Sequence, residues 1–190
     1  MEKTTHLLEL GTVTWARALD RPDLLGDPTR TTIEAWVAAD PSIADQILAC
    51  EIDPELSDTA VMSERYAIPM HNSVNCVLVA GKREGTERTA AVAVRATTRA
   101  DINGTIKKML NVRKASFVPM DRAVAESNMA YGGITPIGLP SSWRFVMDEG
   151  AQDGWIVIGS GLRESKIAIP GTLLARLTSA EVIDGLGRAA

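Results

Sequence analysis

The residues with the clearest chemical potential lie in one short segment, Gly-Gly-Ile-Thr-Pro-Ile-Gly-Leu-Pro at positions 132–140. Three glycines and two prolines in nine residues argue against regular structure, because proline fixes φ whereas glycine also allows positive φ. Such a loop is rigid without being bulky, so a ligand can approach its backbone closely. Its N–H groups could donate to an oxygen that develops negative charge. A tight crossover that binds no ligand is the alternative.

Cysteine and histidine chemistry receives little support from the sequence. Cys50 and Cys76 are the two cysteines, so a disulfide framework is excluded, and a four-ligand zinc site would also need His6 and His71. The spacing of these four residues does not favour a metal, and a free cysteine on an apolar strand is usually a small core residue. We therefore predict no metal and no cofactor.

The charge is distributed unevenly along the chain. Its 190 residues have a net charge of −4, with twelve acidic and four basic residues in 1–60 but nine basic and three acidic residues in 82–114. A local basic stripe on an acidic protein is compatible with binding to a phosphate backbone. A solvated hairpin and helix face would produce the same pattern.

The apolar pattern around the loop predicts short strands interleaved with short helices, and hence a mixed α/β domain. The predicted strands are residues 47–52, 74–80, 89–96, 115–118, 144–147, 155–158, 166–169 and 181–183. The predicted helices are residues 32–39, 57–66, 101–110, 121–127 and 172–177. Glycines in the loop 81–85 predict a hairpin, which implies antiparallel pairing and disfavours a doubly wound parallel sheet.

The chain divides into an N-terminal extension and a main domain. Residues 1–43 are predicted to form a mostly helical extension, and residues 44–190 the α/β domain. The longest apolar run is strand-sized, and the N-terminus lacks the features of a secretory signal. We therefore expect a cytoplasmic protein with no membrane partner.

The loop 132–140 resembles the Gly-Gly-x-x-Pro-x-Gly loop of YbaK/EbsC-type aminoacyl-tRNA deacylases, relatives of the editing domain of bacterial prolyl-tRNA synthetases. Three neighbouring segments also resemble the family: a basic turn into a strand at 113–117, a glycine-rich turn at 158–161 and a strand-to-helix step at 169–174. The resemblance extends from about residue 47 to 184. It implies a single domain whose mixed, largely antiparallel, curved sheet of about seven strands is surrounded by short helices.

The resemblance implies hydrolysis of the ester that joins a wrong amino acid to the terminal adenosine of tRNA. The partner is then the acceptor end of aminoacyl-tRNA, with an aminoacyl-tRNA synthetase as a further candidate. Water attacks without a metal or a Ser-His-Asp triad, and the catalytic candidates are Gly132, Gly133, Ile134 and Asn75. The substrate-binding candidates are Thr135, Pro136, Gly138, Asp148, Gly159, Ser160, Gly161 and Lys166. The candidates for tRNA contact are Lys82, Arg83, Arg88, Lys107, Lys108, Arg113 and Lys114.

Two positions depart from the family pattern. Asn75 replaces a lysine, and a neutral amide donates a weaker hydrogen bond than a charged group. Ser127-Asn128 replaces Thr-Gly, but asparagine tolerates left-handed backbone, so the local geometry can be kept. Lys166 is the candidate substitute for the missing charge. The alternative function is a non-catalytic module that binds aminoacyl-tRNA or a nucleotide and lost hydrolysis with the lysine.

Overall fold

The computed structural model describes residues 8–189, and its elements are short. The strands are β1 (Ala16–Arg17), β2 (Leu48–Glu51), β3 (Val74–Arg83), β4 (Thr86–Arg95), β5 (Thr98–Ala100), β6 (Ala115–Phe117), β7 (Arg144–Asp148), β8 (Trp155–Gly159), β9 (Ser165–Pro170), β10 (Glu181–Ile183) and β11 (Gly187–Ala189). The α-helices are α1 (Asp27–Ala39), α2 (Thr59–Tyr66), α3 (Lys107–Met109), α4 (Met120–Ser127) and α5 (Gly171–Leu177). A π-helical turn, Ile102–Ile106, precedes α3.

The strands are divided among three sheets. One is antiparallel with the order β1-β2-β9-β8, a second has the order β10-β7-β4-β3-β6, and β11 pairs with β5. Only the pairs β10–β7 and β4–β7 are parallel among the described strands. A bridge between Ser73 and Val157 joins the four-stranded and five-stranded sheets. The predicted mixed α+β fold with largely antiparallel pairing is confirmed, and the division into three sheets is added by the structure.

The eight predicted strands are all present, whereas β1, β5 and β11 were not predicted. These three strands have only two or three residues, each including an arginine and none including a large apolar residue, so no apolar pattern marks them. The hairpin is also tighter than predicted: β3 and β4 are joined by Glu84 and Gly85, both with positive φ. Gly81 belongs to β3, where a Cβ atom would lie 2.5 Å from the carbonyl oxygen of Lys114.

The helix α2 begins where the sequence predicts it, directly after an aspartate. Asp58 accepts hydrogen bonds from the N–H groups of Ala60 and Val61, which satisfies two free donors at the start of α2. Asp121, the first residue of the helix predicted over 121–127, does not cap that helix. The helix α4 begins one residue earlier, after Pro119, and Asp121 lies within its first turn.

The main core lies against one face of the four-stranded sheet. Leu24, Leu25 and Ile33 from the N-terminal part are buried there with Ile156 and Leu174. The division into an extension of residues 1–43 and a domain of residues 44–190 stays a prediction. In the described part of the chain, no helix combines the length and the apolar character needed to cross a membrane.

Candidate functional site

A cavity of about 490 Å³ lies where the four-stranded and five-stranded sheets meet, bounded by the start of α2 and by the glycine-rich loop. Of the sequence-predicted site residues, it is lined by Asn75, Gly132, Ile134, Gly159 and Lys166. The remaining lining residues are Ser57, Asp58, Thr59, Met62, Ser73, Val74, Cys76, Val77, Tyr131, Val157, Ile158 and Arg163. The loop and the strand that carries Asn75 are therefore brought to one site.

Lys166 reaches the cavity because side chains alternate along β9. Ile167 and Ile169 pack in the main core, so Lys166 and Ala168 face the opposite side of the sheet. Only 6% of Lys166 is exposed. Its Nζ donates to the carbonyl oxygen of Gly132 at 3.0 Å and lies 3.5 Å from that of Ser57. The ammonium group therefore links β9 to the glycine-rich loop and can direct a further N–H into the cavity.

Burial lowers the pKa of Lys166 from 10.5 to about 8, because a charged amine loses hydration in the protein interior. The guanidinium group of Arg163 lowers this pKa further, while Asp58 opposes the shift. Lys166 therefore loses its proton at mildly alkaline pH rather than near its ordinary pKa of 10.5.

Asn75 is held by a neighbour on α2. Its Oδ1 accepts a hydrogen bond of 2.9 Å from the hydroxyl of Thr59. The amide N–H groups of Asn75 are then available as donors at the cavity wall, where the family lysine would place a charge. The neutral side chain is consequently part of an ordered polar contact.

Gly133 was predicted to be catalytic, and in the structure it does not line the cavity. Its N–H donates to the carbonyl oxygen of Ala130 at 3.0 Å, and its own carbonyl oxygen accepts from Gly161 at 2.8 Å. A Cβ atom at Gly133 would lie 2.1 Å from the carbonyl oxygen of Leu162. Its N–H is therefore not available to a ligand, and the residue must be glycine because another backbone segment lies against it.

The neighbouring N–H groups remain candidates for substrate contact. Gly132 and Ile134 line the cavity, and within residues 8–189 their N–H groups donate to no protein atom. Gly159 lies beneath this part of the loop, where a Cβ atom would come within 2.3 Å of the carbonyl oxygen of Gly133. A glycine on β8 thus lets the loop lie directly on the sheet.

Five predicted substrate-binding residues do not line the cavity: Thr135, Pro136, Gly138, Ser160 and Gly161. Thr135 and Pro136 are buried, and the hydroxyl of Thr135 has no hydrogen-bond partner among the described residues. Ser160 forms a 2.7 Å hydrogen bond with Ser165. Gly138 and Gly161 both have positive φ. Close backbone neighbours explain why both are glycine, whereas contact of the five residues with substrate stays a prediction.

The N-terminal part of the chain supports these loops. The N–H of Gly26 donates to the carbonyl oxygen of Ser160 at 2.9 Å, and the hydroxyl of Thr29 donates to that of Ile137 at 3.1 Å. A Cβ atom at Gly138 would lie 2.5 Å from the backbone of Pro28. The start of α1 therefore packs against both glycine-rich loops.

Asp148 was also predicted to bind substrate, and in the structure its carboxylate has partners within the protein. Its carboxylate accepts hydrogen bonds from the N–H groups of Gly150 at 3.1 Å and Gly187 at 2.6 Å. It does not line the cavity. Both oxygens instead stabilise the turn after β7 and the start of β11.

The predicted basic residues occupy several positions on the surface. Arg88 donates to the carbonyl oxygen of Leu110 at 2.8 Å, and Arg83 donates to the side chain of Asn111. Lys114 lines a groove next to the cavity. None of the seven predicted tRNA-contact residues lines the cavity itself.

Sequence reasoning missed several cavity residues. Asp58 and Thr59 were recognised only as a helix start, although a capped helix start can also present polar side chains to a ligand. Ser73 gave no local signal. It is 2% exposed, and its hydroxyl has no hydrogen-bond partner among the described residues. Because an unsatisfied buried hydroxyl is costly, a polar ligand group would be stabilising there.

Thiol and metal chemistry receive no support from the described residues. Cys76 lines the cavity, but burial raises the pKa of its thiol to about 12, so it stays protonated at neutral pH. Burial also raises the pKa of Cys50 to about 12. No group of three metal-ligating side chains occurs within residues 8–189, and His6 lies outside this range.

The fold and the cavity define a mixed α+β domain with a ligand pocket beneath a glycine-rich loop. Residues 53–177 match the family model of the aminoacyl-tRNA editing domain. Because this match covers more than half of the chain, the protein belongs to the aminoacyl-tRNA editing domain family. The predicted resemblance to YbaK-type proteins is thereby confirmed.

Solved structures show the same fold at low sequence identity. The hypothetical protein APE2540 matches with a TM-score of 0.70 and 16% identity, over 83% of this chain and 99% of its own. A candidate trans-editing enzyme for prolyl-tRNA synthetase matches with a TM-score of 0.68 and 14% identity, over 87% and 99%. Among curated proteins, none has a matching sequence.

Proposed function

We propose that this protein is a trans-editing hydrolase that cleaves the ester bond of mischarged aminoacyl-tRNA by water attack. The observation that supports this most directly is the contact between the Lys166 ammonium and the carbonyl oxygen of Gly132 at the cavity wall. This contact positions the loop at Gly132 and Ile134, which line the cavity and whose N–H groups donate to no protein atom within residues 8–189. Family membership supplies the substrate class.

In the proposed reaction, the ester carbonyl oxygen lies near the N–H groups of Gly132 and Ile134. Water attacks the carbonyl carbon and loses a proton, and the resulting oxyanion accepts hydrogen bonds from these donors. The bond to the ribose oxygen then breaks, and this oxygen takes up a proton to give the free hydroxyl and the free amino acid. One donor of this type is worth about 10²–10³ in rate.

Lys166 and Asn75 have complementary parts in this proposal. Lys166 supplies positive charge near the developing oxyanion, because its ammonium is held at the loop by two carbonyl oxygens. Asn75 donates a neutral hydrogen bond to the substrate from its amide nitrogen, with its orientation set by Thr59. The missing family lysine is thus compensated by a lysine from a different strand.

The partner in this proposal is the acceptor end of aminoacyl-tRNA. The basic residues contact its phosphates, and they are Lys82, Arg83, Arg88, Lys107, Lys108, Arg113 and Lys114. Ser73 also lines the cavity beside the proposed position of the aminoacyl group. An aminoacyl-tRNA synthetase as a further partner and a location in the cytoplasm remain predictions.

A binding module without hydrolytic activity is the second candidate function. The observation that favours it is Asn75, whose neutral side chain is already hydrogen-bonded to Thr59 where relatives have a charge. Incubation with a panel of mischarged tRNAs distinguishes the two. We expect multiple turnovers with at least one of them, whereas binding of the panel without ester loss would identify the module.

The variant Asn75→Lys tests whether the site has been rebuilt around a neutral donor. We expect lower turnover and a lower melting temperature, because the new ammonium would share a cavity with Lys166 and Arg163. Asp58 is the carboxylate that lines the same cavity, and it already caps α2. Turnover and melting are measured together, with Asn75→Gln as a neutral control. Faster turnover with unchanged melting would show that the natural protein is a weakened lysine enzyme.

A further inference from the structure

A second concave surface adjoins the cavity. It has a volume of about 750 Å³ and lies between β3, β6 and the chain around β5, the π-helical turn and β11. Asn75 and Val77 line both this groove and the cavity. They are two residues apart on β3, so their side chains project from the same face of the strand. The groove is therefore a continuation of the candidate site.

An exposed aromatic side chain stands on the wall of the groove. Phe117 is 62% exposed, although burial of a phenyl ring normally stabilises a folded protein. It pairs with Val79 across the sheet, four residues beyond Asn75, which places it about 13 Å along β3 from Asn75. An aromatic face at this position can stack with a planar group next to the ligand in the cavity.

The charge of the groove favours an anionic occupant. Its cations are Arg99, Lys114 and Arg188, and its carboxylate is Asp101. The negative charge of Asp101 is already balanced by an ion pair with Arg188 at 2.7 Å, and its carboxylate also accepts a hydrogen bond from the hydroxyl of Thr105. Within residues 8–189, Arg99 and Lys114 form no ion pair. Two cations are thus free to contact phosphate.

We infer that this groove binds the unpaired 3′ end of the tRNA, namely the nucleotides that precede the terminal adenosine. Single-stranded nucleic acid is bound by aromatic side chains that stack on bases, combined with cations along the backbone, and the groove offers both. Asn103 adds an amide that can contact a base edge. This inference rests on the proposed function, because the ester in the cavity places the terminal adenosine at the end of the groove.

The test uses two RNA hairpins that carry no amino acid and differ only in an unpaired 3′ CCA end. We expect the native protein to bind the hairpin with CCA more tightly by fluorescence anisotropy. Phe117→Ala should weaken this binding about tenfold and leave binding of the blunt hairpin unchanged. Met120→Ala is the matched control, because Met120 is 54% exposed on the neighbouring helix and does not line the groove.

A second pair of variants tests the phosphate contacts. Joint replacement of Arg99→Gln and Lys114→Gln should reduce the slope of log K against log salt concentration for CCA binding. The slope should become shallower by up to about 1.4, at roughly 0.7 per phosphate contact in a single strand. The control is Arg176→Gln, since this exposed arginine lies on α5 and outside the groove.

Phe117→Leu keeps the apolar volume but removes the stacking face, so it should also lose the preference for CCA.

The outcomes separate this inference from the proposed function. If the native protein binds both hairpins equally, or if Phe117→Ala and Phe117→Leu keep the full preference for CCA, the groove does not bind the 3′ end. Hydrolysis of mischarged tRNA could then still occur. If the preference for CCA depends on Phe117 but no tRNA in the panel is deacylated, the inference stands and the hydrolytic function fails.

Discussion

Replacing Lys166 with methionine is expected to reduce kcat/KM for deacylation by about 10²–10³ while the protein stays folded. The ammonium contacts the carbonyl oxygen of Gly132, so its loss removes both the charge at the cavity and the link that positions the loop. Methionine occupies a similar volume, and its apolar side chain avoids the cost of burying a charged group. The measurement is single-turnover hydrolysis beside thermal melting.

Two further measurements make the role of Lys166 specific. Because its pKa is lowered to about 8, the enzyme-dependent rate should decline above that pH as the ammonium loses its proton. A rate that instead rises through pH 8, after subtraction of uncatalysed hydrolysis, would indicate that the neutral amine acts as a base. Lys166→Arg keeps the charge and should retain more activity than Lys166→Met. Equal activity of the two variants would contradict an electrostatic role.

The pH dependence of stability follows from the same shift. Lys166 has a lower pKa in the folded protein than its ordinary value of 10.5, so the folded state binds fewer protons between about pH 8 and 10.5. The free energy of unfolding contributed by this group therefore rises with pH across that window. Relative to Lys166→Met, the native protein should gain melting temperature from pH 8 to pH 10. An unchanged difference would show that the amine is not desolvated.

Replacing Gly133 with alanine is expected to lower the melting temperature by about 6–12 °C and to abolish deacylation. The new Cβ atom would lie 2.1 Å from the carbonyl oxygen of Leu162, which belongs to backbone and cannot rotate away. Overpacking of this kind costs about 3 kcal/mol or more, and each kcal/mol corresponds to about 2–4 °C in a chain of this size. Displacement of the loop would also move the N–H groups of Gly132 and Ile134.

Gly150→Ala is the matched control for this prediction. Its Cβ atom would contact only a carboxylate oxygen of Asp148, at 3.0 Å, and that side chain can shift. We expect the control to melt close to the native protein and to keep its activity. If Gly133→Ala also melted normally but lost activity, the residue would be needed for access of the substrate, as its sequence pattern first indicated.

The sequence by itself determined the strand pattern, the glycine-rich loop and, through that loop, the family. These features are local: a strand of five or more residues shows its apolar pattern, and a run of glycine and proline excludes regular structure wherever it occurs. The start of α2 at Asp58 is equally local, because a cap is formed within three residues. Short strands without a large apolar residue, such as β1 with the sequence Ala-Arg, were beyond this kind of inference.

The tertiary structure decided which of the candidate residues form the site. Lys166 and Gly132 are 34 residues apart and meet because β9 lies beneath the loop, a contact that no local period encodes. In sequence, Gly133 and Gly161 look the same as glycines that bind a ligand. In the structure, close packing against a neighbouring backbone segment explains why each is glycine. Asp148 follows its strand as a ligand-binding carboxylate would, but its oxygens accept hydrogen bonds from Gly150 and Gly187. Residue type is set by sequence, whereas the direction of a side chain depends on the sheet face and the neighbours against which it packs.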